Sequence, residues 1–289
     1  MIVHIKQIIN KARAGNYAVA AFNTSNLEIT LAIVRAAVNK KSPVIISTSE
    51  SAIEYSNVLT LFQLISNVAN TIGKRVPIAI HLDHGHSLQT IKECLHIGYS
   101  SVHMDASEKD FSANIKLSHQ AAQLAHTHGA WLQAELGSIL GKEGLVKLKS
   151  GRIKMKDLLT RPEQAREFVA KTGLDTLAVS VGTIHGAFRG REKVDQPRLR
   201  KIRELTNKPL VLHGGSGLPA AAYCLAIKNG ISVINIDTNL RLAFHQALLK
   251  NLVKSRELID PRKILAPSVQ AMQKEAEKMI DIFGSKNKA

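Results

Sequence analysis

Short apolar runs recur along the chain, each followed by a polar or glycine-bearing stretch and then by apolar residues at three- and four-residue spacing. Eight such runs stand at 18–23, 44–47, 78–82, 101–105, 131–135, 176–180, 210–213 and 233–236. Their spacing of about 23 to 45 residues is that of a strand–helix unit. Between them, 26–39, 87–97, 113–127, 162–172, 197–206, 219–229 and 239–253 carry the helical period. Pro162, Pro197 and Pro219 mark helix starts, and Gly98, Gly173 and Gly230 mark stops.

An apolar strand each time, alternating with helix, implies a parallel sheet covered on both faces: a (β/α)₈ barrel or a doubly wound sheet. The polar residues favour the barrel. Asn23, Ser49, Asp83, His84, Asp105, Glu135, His185, His213, Asn235 and Asp237 all fall at or just past the carboxyl end of a run. In a barrel those ends form one ring around the mouth. A doubly wound sheet would carry a glycine-rich turn after its first strand, and Asn23-Thr24-Ser25-Asn26 has no glycine. The expectation is one α/β barrel domain over 1–289, with a mobile active-site loop at about 137–160, rich in Lys, Gly and Ser.

Composition agrees with a folded chain. At 289 residues, 45% hydrophobic and 21% charged, disorder, collagen and coiled coil are excluded. The formal charge of +16 raises nucleic acid or an anionic membrane as partners. Aromatics are only 4% and do not interleave with basic residues as base-stacking requires, so nucleic acid is a poor partner, whereas a phosphorylated substrate suits the field. Cys94 and Cys224 form no paired motif, and no stretch approaches the roughly 18 apolar residues of a membrane span. A reduced, cytoplasmic protein that does not enter membranes is expected.

The chemistry concentrates in three histidines. His84, His185 and His213 each stand at the end of a different run and are each followed at once by glycine. Three imidazoles on one rim suit a catalytic zinc with an open fourth position. Alternation places His81 and Asp83 inside the barrel. His86 competes weakly as a ligand, through its His-x-His spacing. His96, His103, His119, His126, His128 and His245 read as ordinary structural or surface residues. Gly214-Gly215-Ser216-Gly217 after the seventh run, and Asn235-Ile236-Asp237-Thr238 after the eighth, occupy the place where barrels often bind phosphate. Metal, carboxylate and phosphate cradle together describe carbanion chemistry beside a carbonyl on a sugar phosphate.

Five segments carry a specific resemblance: His81-Leu82-Asp83-His84-Gly85, Ala134-Glu135-Leu136-Gly137, Thr183-Ile184-His185-Gly186, Leu212-His213-Gly214-Gly215-Ser216-Gly217 and Asn235-Ile236-Asp237-Thr238. In order, from about Ile5 to the last helix, the chain resembles the class II, zinc-dependent fructose-bisphosphate and tagatose-bisphosphate aldolases. The resemblance implies a (β/α)₈ barrel, a homodimer or homotetramer, and zinc on His84, His185 and His213, with Glu135 as alternative ligand. It implies Asp83 as acid/base at the C4 hydroxyl and Glu143, on the loop, as the group exchanging a proton at the nucleophilic carbon. Gly186, Gly214, Ser216, Asn235 and Thr238 would hold the triose phosphate, often with a monovalent cation (Na⁺ or K⁺), and Asn23 and Ser49 would line the rest of the pocket. Asp237 is similar to the aspartate typical of the fructose branch, and Arg241 to the arginine that reaches the far phosphate there. Fructose 1,6-bisphosphate, cleaved reversibly to dihydroxyacetone phosphate and glyceraldehyde 3-phosphate, is the substrate these features imply.

The chain departs from the family pattern at Leu140 and Gly144 in the loop, at Gln133 and Ser51, and over 108–110. Two alternatives remain: an aldolase for tagatose bisphosphate or another ketose phosphate, and a barrel repurposed to bind a phosphorylated ligand or nucleic acid. A Schiff-base aldolase would need a lysine at a strand end, and none of the eight ends carries one.

Overall fold

The computed structural model describes residues 1–139, 158–186 and 193–289. Strands β1 (Val19–Asn23), β2 (Val44–Ser49), β3 (Ile78–Gly85), β4 (Ser101–Met104), β5 (Trp131–Leu136), β6 (Thr176–Val179), β7 (Leu210–Leu212) and β8 (Ile231–Ile236) pair in chain order, all parallel, and β8 closes on β1. This is the (β/α)₈ barrel. Helix α1 (Ile5–Ala14) precedes it. The outer layer is α2 (Leu27–Lys40), α3 (Glu50–Ser56), α4 (Val58–Thr71), α5 (Leu88–His96), α6 (Phe111–Thr127), α7 (Pro162–Thr172), α8 (Gln196–Thr206), α9 (Ala220–Lys228), α10 (Thr238–Lys254) and α11 (Pro261–Phe283). No helix among the described residues is long and apolar enough to cross a membrane.

Strand alternation separates two cores. Outward-facing residues such as Phe22, Ile46, Ile80, Leu132 and Leu212 join the helices in the larger one. Inside the barrel, Val19, Ala21, Ile45, Ala79, Ala178, Val211 and Val233 form a smaller core, and Ile5, Ile8, Ile9 and Ala12 of α1 close its lower end. Aliphatic filling stops partway up. Above it the inward positions are Asn23, Ser49, Asp83, His103, Glu135, His213 and Asn235, all buried. The sequence of each strand thus runs from apolar floor to polar mouth.

The expected strands and helices are present, with no edge displaced by more than three residues and Pro219 at the N-cap of α9 instead of in its first turn. Four helices were not anticipated as elements: α1, α3, α4 and α11. The largest strand difference is β3, which continues to Gly85, so that Asp83 and His84 belong to the strand itself. Of the expected loop, 140–157 lies outside the described residues.

Candidate active site

β3 supplies the centre of the mouth through a break in its own regularity. Alternation sends His81 and Asp83 inward and would turn His84 away from the barrel axis. His84 instead adopts φ +48°, in the left-handed region, and the register between β3 and β4 shifts between Leu82 and Gly85. Consecutive residues Asp83 and His84 therefore both reach the mouth. Gly85 follows because the β4 backbone passes so close that a Cβ there would lie 2.5 Å from the His103 carbonyl oxygen.

Asp83 is fully buried, and both of its oxygens accept amide hydrogen bonds, from Asn23 Nδ2 at 2.9 Å and from Asn235 Nδ2 at 3.1 Å. Burial works against its charge, but the neighbouring imidazoles of His84 and His103 outweigh it and hold the carboxyl well below the usual range. It is an oriented carboxylate.

The rings of His84, His185 and His213 converge beside it, with centroids 5.2 Å (His84–His185), 4.7 Å (His84–His213) and 6.1 Å (His185–His213) apart. One nitrogen from each lies within 4.8 Å of the other two. Burial disfavours the imidazolium form, lowering His185 to about 4 and His213 well below its ordinary value. Both rings thus keep lone pairs at neutral pH, as metal ligation requires. His84 Nδ1 donates to Asp105 Oδ2 at 2.6 Å, which leaves Nε2 facing its partners. The Gln133 amide lies 3.0 Å from His213 Nε2. The atom that faces the ring there is the amide nitrogen, and His213 Nδ1 lies 3.0 Å from His84 Nε2; turning the amide over, so that its oxygen accepts from Nε2–H, would put the His213 lone pair on Nδ1, beside His84. Glu135 Oε2, buried and without a hydrogen-bond partner among the described residues, stands 3.7 Å from His213 Nδ1. The donor set fits a divalent cation: three imidazoles, two of them held neutral by burial, a buried carboxyl oxygen without a partner among the described residues, and carboxylate or amide support behind the rings.

Three contributors had no assigned role in the sequence. His103, read there as ordinary, is fully buried at the centre, accepting the His84 backbone N–H at Nδ1 (3.2 Å) with Nε2 4.0 Å from Glu135 Oε2. Asp105 and Gln133 support His84 and His213. Asp105 with His84 and Glu135, and His103 with Asp83 and His213, are further groups whose ligand atoms all lie within 4.8 Å. The inward alternation of Ser101 and His103 along β4 was the available signal.

The phosphate-binding expectation falls on one cavity. A narrow cleft beside the histidines is lined by His185, Gly186, Gly214, Ser216, Asn235, Asp237 and Thr238. Gly214 has φ +62°, and a Cβ there would come within 2.7 Å of the Ile184 backbone. Only glycine lets the 183–186 segment lie against the end of β7, where Thr183 Oγ1 also donates to the His213 carbonyl at 2.7 Å. Asp237 occupies the N-cap of α10 but makes no side-chain capping bond. Its Oδ1 instead accepts from Arg241 Nε at 2.6 Å, and burial raises its pKa against the pull of that guanidinium. Ser49 lies level with Asp83 in the sheet and caps α3. Glu143, Leu140 and Gly144 lie outside the described residues.

The signature of the family described as fructose-bisphosphate aldolase class-II matches residues 3–288. The chain belongs to this family. It is 40% identical to a fructose-bisphosphate aldolase of Thermus caldophilus, with both chains fully covered, and 38% identical to one of Geobacillus stearothermophilus, over 100% of this chain and 99% of that one. Among solved structures, the YdjI aldolase from Escherichia coli K12 superposes with a TM-score of 0.85 at 31% identity, covering 100% of both chains. As a class-II aldolase the protein is a carbon–carbon lyase. The ring of polar strand ends is where such a barrel places its chemistry.

Proposed function

We propose that this aldolase cleaves fructose 1,6-bisphosphate reversibly to dihydroxyacetone phosphate and glyceraldehyde 3-phosphate, using zinc held by His84, His185 and His213. One observation carries the reading: a buried, doubly hydrogen-bonded carboxylate stands beside three converging imidazoles and a glycine-walled cleft at the same strand ends. When bound, the cation supplies Lewis-acid polarisation of the substrate ketone. The chain's own groups do the rest. Ser216, Asn235, Thr238 and the backbone of Gly186 and Gly214 seat the triose phosphate, the N-terminus of α10 favouring its charge. Asp83, with Asn23 and Asn235 fixing its direction, takes the proton of the C4 hydroxyl as the C3–C4 bond breaks and the aldehyde forms. Glu143 returns a proton at C3. Asp237 and Arg241 face the part of the substrate beyond C4, and Asn23 and Ser49 close the side of the pocket. Glu135 serves as an alternative ligand.

The same reading takes 1–289 as one barrel domain that assembles as a homodimer or homotetramer in the cytoplasm. Leu249, Leu252, Val253 and Ile259, exposed on one end of α10 and the segment after it, support assembly. The decisive experiment is cleavage of fructose 1,6-bisphosphate before and after removal of metal by a strong chelator. Activity is expected to vanish and to return with zinc. Activity that survives chelation, or a covalent adduct trapped by borohydride, would overturn the mechanism.

A further inference from the structure

Far from the mouth, two helices end side by side, each with a histidine at its last turn. His96 is the final residue of α5 and His128 the C-cap of α6, and their rings lie 5.1 Å apart at 54°. Both are exposed. These helices lead into β4 and β5, so their carboxyl ends sit at the floor of the barrel, opposite the site already described.

The hydrogen bonds fix the tautomer of each ring. His96 Nδ1 lies 3.0 Å from the Lys92 carbonyl oxygen, and His128 Nδ1 2.9 Å from that of Leu124. A carbonyl oxygen can only accept, so in each neutral ring the proton is on Nδ1 and the lone pair is on Nε2. That is the arrangement of a metal-ligating histidine, whose second nitrogen donates to a carbonyl or carboxylate behind it. Neither Nε2 has a hydrogen-bond partner among the described residues. Both helix ends also turn their negative poles towards this point, which favours a cation there.

We infer that His96 and His128 form a second, surface metal site that takes one divalent transition ion of the imidazole-binding class, Cu²⁺, Ni²⁺ or Zn²⁺, with water completing the coordination. Two imidazole nitrogens on one such ion at about 2.1 Å lie no more than about 4 Å apart, a separation compatible with ring centroids 5.1 Å apart. The ion staples the end of α5 to the end of α6. Magnesium and calcium, which select oxygen ligands, are excluded by the donor set.

The test uses the whole chain, first loaded with zinc at the catalytic centre, then titrated with Cu²⁺ at pH 8 and read by copper paramagnetic resonance and by bound-metal stoichiometry. The wild type is expected to take up one further equivalent whose spectrum carries two equivalent imidazole nitrogens. His96→Gln and His128→Gln should each lose that equivalent while keeping the catalytic metal and aldol cleavage. A Cu²⁺ stoichiometry unchanged in either variant, or a wild-type spectrum with a single nitrogen, would overturn the site. Folding is checked by the retained cleavage, and Mg²⁺ in place of Cu²⁺ should leave α5 and α6 unstapled, with no gain in Tm.

Discussion

Asp83 and His84 are neighbours in sequence and carry different tasks, and their surroundings say which is which. Asp83 spends both oxygens on the Asn23 and Asn235 amides, whereas His84 donates its Nδ1–H to Asp105 and turns Nε2 towards His213, where the proposed cation would sit. Asp83→Ala is therefore expected to retain bound metal but lose about 10²–10⁴-fold in kcat, the usual weight of a general acid or base. His84→Ala should lose metal and activity together, as metal analysis of both purified variants would show; equal metal loss would make Asp83 a ligand-orienting residue. Asp105→Ala removes the support behind His84 and should weaken metal affinity about 10–100-fold, measured by competition with a chelating dye. An unchanged affinity would mean that the 2.6 Å contact does not hold the ring. The convergence of His84, His185 and His213 was legible because each follows an apolar run and stands next to a glycine. His103 was not: a histidine inside a short run looks the same whether it fills a core or faces a reaction. Nor could the sequence show the left-handed turn at His84, since alternation alone sends that ring outward.

The elements place these residues, and their boundaries are set by local chemistry that the sequence shows unevenly. Helix α7 was legible to the residue because Pro162 opens it and Gly173, at φ +73°, closes it. The stretch 50–71 was not read as helix, because Asn57, at φ +69°, ends α3 and caps α4 at once and interrupts the apolar period. Helix α1 did display its spacing in Ile5, Ile8, Ile9 and Ala12, but a floor under a barrel has no signature apart from an ordinary amphipathic helix. Helix α6 depends on a titratable cap. Asp110 accepts from the Ala113 N–H at 2.9 Å and from the Ser112 hydroxyl at 2.8 Å, and these bonds lower its pKa in the folded state. A depressed folded pKa contributes stability that is present in full above the unfolded value of 3.8 and is lost as pH falls through the folded one. Asp110→Asn keeps an acceptor but cannot ionise, so its Tm should lie below wild type at pH 6, with the gap closing as the pH is brought under 3.8. A gap that stays constant across that range would show that the cap acts without its charge.

At the scale of the whole molecule the charge is divided. The mouth gathers acidic side chains, Asp83 and Asp105 held ionised and Glu135 and Asp237 with pKa values raised by burial, while the chain as a whole carries a formal +16. A doubly phosphorylated substrate is therefore drawn by the outer field towards a centre that, without a cation, would repel it. Metal held at the three histidines, as proposed, would offset the inner carboxylates, and the field from rim to centre would then have one sign. Such long-range attraction is screened over a Debye length of about 10 Å at 0.1 M salt, whereas contacts inside a closed site are screened much less. The kcat/KM for fructose 1,6-bisphosphate should accordingly fall as ionic strength rises from about 10 to 200 mM, with kcat at saturating substrate nearly flat, since bound substrate no longer samples the outer field. Replacing the basic residues of the tail, Lys286 and Lys288, one at a time should change this slope little, because the field is a sum over the surface and not the work of a pair. If kcat/KM proves insensitive to salt while kcat falls, the basic surface has no part in substrate capture, and ions act instead on the closed site.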